Sequence, residues 1–267
     1  MSDLVTINIE NHVADVRLNR PDKYNALSPE MFTAIIEAGK SVAQDRSVRA
    51  VVLSGEGRGF CAGLDFQSFA EMSERDRSEA DLFQRSADQI ANHAQMPGMV
   101  WKQMPVPVIA AIHGVAFGGG LQIALGADIR LAAPNAQFSV MEIKWGLVPD
   151  MSLTQTVRDL VRLDVAKELT FTGRIVPAEE AEKLGLVTRI CDNPLEEAMR
   201  LAEEVASKSP HAISAAKHLL NEAWHSGAED GLRLEESLQR AMIGSPNQVE
   251  AVMANFEKRS PNFSDRD

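Results

Sequence analysis

Sulfur that could cross-link or hold a metal is scarce in this chain: of its 267 residues two are cysteine, Cys61 and Cys191, far apart and with no CxxC spacing. That argues against a disulfide framework and against a metal site, and it suits a reducing cytoplasm. No stretch of about 18 or more apolar residues exists to span a bilayer. The opening MSDLVTINIEN lacks a basic region followed by an apolar run, so no signal peptide is expected. Positive charge is short as well, with 27 Lys and Arg against 38 Asp and Glu, a net charge of −11. Without basic runs or interleaved aromatics, nucleic acid and anionic membranes are excluded as main partners. An anionic ligand must then find a local cluster of Lys and Arg against an unfavourable overall field. Repeats, linkers and low-complexity tracts are missing too, which leaves one folded unit long enough for a sizeable core.

What is present alternates strand and helix signals. Residues 5–9 and 13–18 alternate apolar with polar and predict a hairpin. Ser28 and Pro29 form an N-cap followed by proline at the first helical position, and Met31, Phe32, Ile35, Ile36 and Val42 carry a helix to about Asp45. Residues 50–53 and 107–112 are apolar throughout, the pattern of strands buried on both faces. Between them, 68–104 is polar and methionine-bearing, and predicts helix with a loop at Met96-Pro97-Gly98. Beyond Ser152, helices are expected over 154–163, 165–172, from Pro177, and over 194–207, 210–225, 231–243 and 246–258, with a short return strand at 185–187. The fold class is therefore α/β, with a core over 1–200 and a helical C-terminal region over 201–267 in the same structural unit.

The most distinctive stretch is Gly118-Gly119-Gly120, between the 107–112 strand unit and an apolar helix expected over 121–127. Its spacing fits neither a dinucleotide fingerprint nor a phosphate loop, which needs Lys-Ser/Thr where Leu121-Gln122 stands. Glycines there let a ligand group approach the backbone closely. The amides of a helix's first turn have no intrahelical partner and sit at the positive end of its dipole, which suits an enolate oxygen.

Six segments occur in one order: Leu18-Asn19-Arg20-Pro21 with Asn25-Ala26-Leu27; Phe60-Cys61-Ala62-Gly63-Leu64-Asp65; His113-Gly114 with the triple glycine; Ala127-Asp128-Ile129-Arg130; Ala136-Gln137-Phe138; and a closing helix from Phe256 to Phe263. In that order they resemble the crotonase (enoyl-CoA hydratase/isomerase) superfamily over nearly the whole chain. The resemblance implies a crotonase-like ββα spiral core, a C-terminal region that builds a homotrimer or a dimer of trimers, and an acyl-CoA thioester as substrate. It implies no metal and no separate cofactor, since coenzyme A is part of the substrate. Carried over by position, the amides of Leu64 and Gly119 form an oxyanion hole, and the backbone at Ala62 and Leu64 binds the adenine of coenzyme A. Lys258 matches a lysine that reaches a neighbouring subunit's coenzyme A, although the aromatic residue three positions earlier is Asn255 here. Met96, Met99, Trp101 and Met104 fall where one wall of the acyl pocket forms.

The family's hydratases use two carboxyl groups. At the first position this chain has Gln122 and at the second Glu142. A primary amide can hold a water, but it has no useful pKa for proton transfer. Eight residues after Glu142, Asp150 stands where typical hydratases carry glycine and where dienoyl-CoA isomerases carry aspartate. Glu142 and Asp150 are the expected catalytic pair, with Gln122 in the substrate pocket. His113, Asp65 and Asp128 are expected to be structural. Double-bond isomerisation is favoured; hydration with Asp150 as the second acid, and a non-catalytic acyl-CoA-binding homologue, remain open.

Overall fold

The computed structural model describes residues 3–65, 67, 68, 70, 82–85 and 89–266. The predicted hairpin is present as β1 (Val5–Glu10) and β2 (Val13–Leu18). It opens a sheet completed by β3 (Ala50–Gly55), β4 (Val108–Ile112), β6 (Ile129–Ala132) and β9 (Arg189–Ile190), in the order β1-β2-β3-β4-β6-β9. Only the β1–β2 pair is antiparallel. A second sheet of three short strands, β5 (Val115–Phe117), β7 (Gln137–Ser139) and β8 (Val176–Pro177), runs in the order β5-β7-β8.

Both faces of the larger sheet are covered, which is why its strands read as unbroken apolar runs. On one face lies α1 (Pro29–Gln44), begun as expected by the Ser28 hydroxyl accepting from the Met31 amide. It crosses α2 (Met96–Lys102) so closely that a Cβ on Gly39 would lie 2.4 Å from a methyl of Val100. On the other face α7 (Pro194–Ala206) presents Ala198, Ala202 and Ala206 to Val52, Ile109 and Leu131. The small side chains let the helix lie close to the strands. The helices that follow are α8 (Pro210–Ala223), α9 (Ala228–Met242) and α10 (Pro246–Glu257). Lys217 on α8 reaches into the core to Asp128 Oδ2 at 2.7 Å and to the Val106 carbonyl at 3.0 Å. Asp128 is structural, as expected: the same oxygen accepts from the Val108 amide.

Several expected boundaries move. Met96-Pro97-Gly98 is no loop but the first turn of α2, where proline fits because that amide needs no partner. Of the helix expected over 68–95, residues 69, 71–81 and 86–88 lie outside the described residues, while 82–85 and 89–95 are turns and irregular chain instead of helix. The helix after the glycines, α3, runs from Gly119 to Ala124, so it begins inside the triplet. In place of a helix over 154–163 there is one turn, α4 (Leu153–Thr156); the chain then bends at Leu160, whose carbonyl would lie 2.2 Å from a Cβ on Gly185. Arg162 is extended (φ −63°, ψ 149°) and restarts the chain as α5 (Leu163–Thr172). Nor do residues 185–187 form a strand. Gly185 closes α6 (Ala178–Leu184) in the left-handed region (φ +93°), and pairing begins only at Arg189.

Asn25 holds the loop that leads to the candidate site. Fully buried, in the left-handed region that asparagine tolerates (φ +56°), it accepts from the Arg20 amide at 2.7 Å. Its Nδ2 faces the carbonyls of Glu56, Gly59 and Phe60 at 2.9, 2.9 and 3.1 Å. Replacing it with aspartate turns that donor into an acceptor facing three carbonyls. Asn25→Asp is expected to lower unfolding free energy by at least about 2 kcal/mol, the scale of a buried polar group left unpaired, as read from urea denaturation.

Candidate active site

Two backbone segments make the site. The first, 60–65, is threaded between β5 and the chain at 24–27: the Phe60 and Cys61 amides donate to His113 and Val115, and Phe117 donates back to Cys61. On its other side Leu27 donates to the Gly63 carbonyl and accepts from Asp65, so Leu64 is gripped from both flanks. The second segment is the start of α3. Gly118 adopts φ +51°, ψ −121°, a conformation that strongly favours glycine. A Cβ on Gly120 would lie 2.3 Å from the Cys61 carbonyl; one on Gly63 (φ +88°) would lie 2.7 Å from the Phe117 carbonyl and 3.7 Å from the Gly119 nitrogen. The glycines thus bring Leu64 and Gly119 together. Among the described residues neither of these two amides has an acceptor. Leu27 and Met151 form the wall over Gly119, their side chains 2.8 and 2.5 Å from where its Cβ would be.

Glu142 opens a single 3-10 turn (Glu142–Trp145) closed by Gly146 in the left-handed region (φ +70°). Its Oε1 lies 3.4 Å from where a Cβ on Gly118 would stand, which places the carboxylate at the mouth of the glycine turn. The same oxygen accepts from Gln122 Nε2 at 2.5 Å, while Oε2 is buried with no partner among the described residues. Burial raises the Glu142 pKa, opposed by the hydrogen bond from Gln122 and reinforced by the negative charge of Asp150. Asp150 opens to solvent, yet its partial desolvation also raises its pKa. A carboxyl group of raised pKa at the mouth of the glycine turn, with a second one close enough for its charge to be felt, is a chemically suitable place for proton transfer.

The expected residues do not all meet. The charge of Asp150 acts on Glu142, and the segments carrying Leu64 and Gly119 come together. Gln122 is buried rather than open to a pocket, and its carbonyl oxygen accepts from the Met151 and Leu153 amides at 2.9 and 3.2 Å. Trp101 and Met104 are enclosed in the main core, so they back the site instead of lining it; Met96 and Met99 are nearly as buried. Packing of α2 against α1, α3 and α4 encloses those side chains. Lys258 caps α10 in the left-handed region (φ +54°), exposed and on a helix that packs against α8. Asp65 is structural, as expected: burial alone would raise its pKa, but Arg20 at 2.7 Å holds it below the usual range. His113 is satisfied by the Gly57 carbonyl at 3.0 Å, but it is half-buried rather than in the core. Asn25 and Leu27 lie in a motif already singled out, though with no role attached. Nothing in the sequence marks Met151.

Several known proteins resemble this chain. A family model described as enoyl-CoA hydratase/isomerase matches residues 8–266. The mitochondrial enoyl-CoA hydratase of Pongo abelii is 33% identical over 96% of this chain and 85% of its own length. The peroxisomal Delta(3,5)-Delta(2,4)-dienoyl-CoA isomerase of Arabidopsis thaliana is 32% identical over 98% of this chain and 96% of its own. The crystal structure of an enoyl-CoA hydratase from Mycobacterium smegmatis superposes with a TM-score of 0.84 at 31% identity, covering 98% of this chain and 99% of that one.

A raised carboxyl pKa has a consequence for stability. In the folded protein Glu142 binds its proton more tightly than in the unfolded chain, so its contribution is fully present below the unfolded value and is lost as pH rises through the folded one. Glu142→Gln is therefore expected to be more stable than the parent at pH 8, with the difference fading as pH falls below about 4. Thermal unfolding across that range measures it; equal melting temperatures at pH 8 would contradict the desolvated carboxylate.

Proposed function

Because the chain belongs to the enoyl-CoA hydratase/isomerase (crotonase) family, we propose that it acts on unsaturated acyl-CoA thioesters and moves their double bond rather than adding water. The observation that carries this is Gln122. At the position where the family's hydratases have their first carboxyl group, the side chain is a buried amide with its oxygen held by two backbone amides. It offers no proton and no base. Glu142 with Asp150 is the titratable pair that remains.

For a 3-enoyl thioester the steps balance without any co-reactant. The thioester oxygen docks on the Leu64 and Gly119 amides; Glu142 takes a proton from C2, and the C–H electron pair joins the conjugated dienolate. Each amide is worth about 2.7–4 kcal/mol as charge develops on that oxygen. Return of the proton at C4 leaves the double bond between C2 and C3, with no atom gained or lost. For longer conjugated systems Asp150 serves the far end.

Two basic side chains, Lys23 and Arg58, support a coenzyme A site beside Ala62 in spite of the net negative charge. The Ala62 amide bonds to the Tyr24 carbonyl at 2.9 Å, and at that edge Lys23 is exposed and Arg58 lies over the Tyr24 ring, 4.5 Å from its centroid. Exposed Trp224, Leu232, Val252 and Phe256 on the C-terminal helices support a homotrimer or a dimer of trimers, in which Lys258 reaches a neighbour's ligand. A cytoplasmic setting completes the proposal. Hydration with Asp150 as second acid is the rival reading, favoured by the hydratase names among the relatives.

Purified protein supplied with 3-enoyl-, 3,5-dienoyl- and trans-2-enoyl-CoA is expected to shift the double bond at constant mass. A gain of one water from the trans-2 substrate would favour hydration. Glu142→Gln is expected to lower kcat about 100- to 10,000-fold while acyl-CoA affinity stays within a few-fold; undiminished turnover would sink both catalytic readings.

A further inference from the structure

The orientation of Gln122 is over-determined. Its Oε1 faces two backbone N–H groups, those of Met151 and Leu153, and only an oxygen can accept from both. The amide cannot flip, so Nε2 must point at Glu142. An amide nitrogen only donates. Glu142 Oε1 is therefore an obligate acceptor and cannot carry the acidic hydrogen, which would meet the hydrogen of Gln122. That leaves Oε2, buried and unpartnered among the described residues.

We infer that Gln122 is a positioning residue that makes Glu142 a one-oxygen acid-base, with Oε2 the only atom that takes up and releases the proton. The inference deepens the isomerase reading and rests on it for the identity of the substrate. It assigns a task to a residue that otherwise reads as a lost carboxyl group. The same amide joins α3, the turn at 142–145 and the start of α4, so the geometry of the base is tied to the wall over Gly119.

Among the described residues few charges compete with this contact. α3 and α4 carry no titratable side chain. On α5, which packs against the 142–145 turn, Asp164 is paired with Arg162 and Glu168 with Arg174, and Lys167 is the remaining charge. On the turn itself Lys144 lies over the Trp145 ring. Asp150 is the group whose charge acts on Glu142.

The test is to titrate the Glu142 carboxyl by carbon-13 NMR, assigned by its loss in Glu142→Gln, in the parent, Gln122→Met and Gln122→Glu, beside pH profiles of kcat. Gln122→Met removes the one side-chain donor to the charged form among the described residues, leaving the amide of Glu142 itself, so the Glu142 midpoint should rise by about one pH unit or more. The acidic limb of kcat should move with it, making the loss roughly tenfold greater at the acid end than at the alkaline end. Gln122→Glu is near-isosteric and can keep the Met151 and Leu153 bonds, so it remains informative if the methionine variant does not fold. It puts two carboxyl groups on one proton and should split the titration into two steps. A Glu142 midpoint and limb unmoved in either folded variant, with kcat depressed equally at every pH, would reduce Gln122 to a structural residue and overturn the inference. The NMR titration reads this contact whatever reaction is catalysed, so a parent protein that adds water would refute the isomerase reading while leaving the contact to be judged separately.

Discussion

Everything at this site depends on two stretches of backbone lying closer together than any side chain permits. The Cys61 carbonyl occupies the space of a Cβ on Gly120, and the Phe117 carbonyl that of a Cβ on Gly63. Parallel pairing of 60–65 with β5 and with the chain at 27 fixes the approach, and Asn25 fixes the loop that enters it. With the glycines in place, two segments more than fifty residues apart come together, and neither the Leu64 nor the Gly119 amide has an acceptor among the described residues. Backbone donors held by a sheet and a helix cannot swing away as side chains can. That rigidity is what makes such a pair effective as charge develops.

The electrostatics follow from this close packing. Burial pushes Glu142 toward its neutral form while Gln122 pulls it toward the charged one. A carboxyl group balanced between the two suits proton transfer in both directions. The cost falls on the fold, which must hold a partly desolvated acid. Much of the surrounding structure serves to hold it: α2 and the chain just after it back the site with Trp101 and Met104, and Lys217 ties the C-terminal helices to Val106, just before β4.

Much of this was legible from residues alone, where a local rule decided the outcome. Ser28-Pro29 begins a helix because capping is local. The 5–18 hairpin follows from alternation, and the triple glycine from the rarity of its chemistry. The failures share a cause. Met96-Pro97-Gly98 has the composition of a loop, and only tertiary packing against α1 makes it a helix start. Gly185-Leu186-Val187 has the composition of a strand start, whereas the left-handed conformation of Gly185 ends a helix. Gln122 was legible as a missing acid, but its two backbone donors come from residues about thirty positions away and no spacing announces them.

The turn that carries Glu142 has one more property. Gly146 has no atom within 4 Å of where its Cβ would stand, and Ile143, Trp145, Leu147 and Val148 all face outward. The carboxylate is anchored from the opposite side, by Gln122. Side chains along the rim can therefore change without touching the hydrogen bond that holds the Glu142 carboxyl, although they share its turn. Such a division lets the outward surface of the turn drift among descendants while the contact between Gln122 and Glu142 is inherited intact.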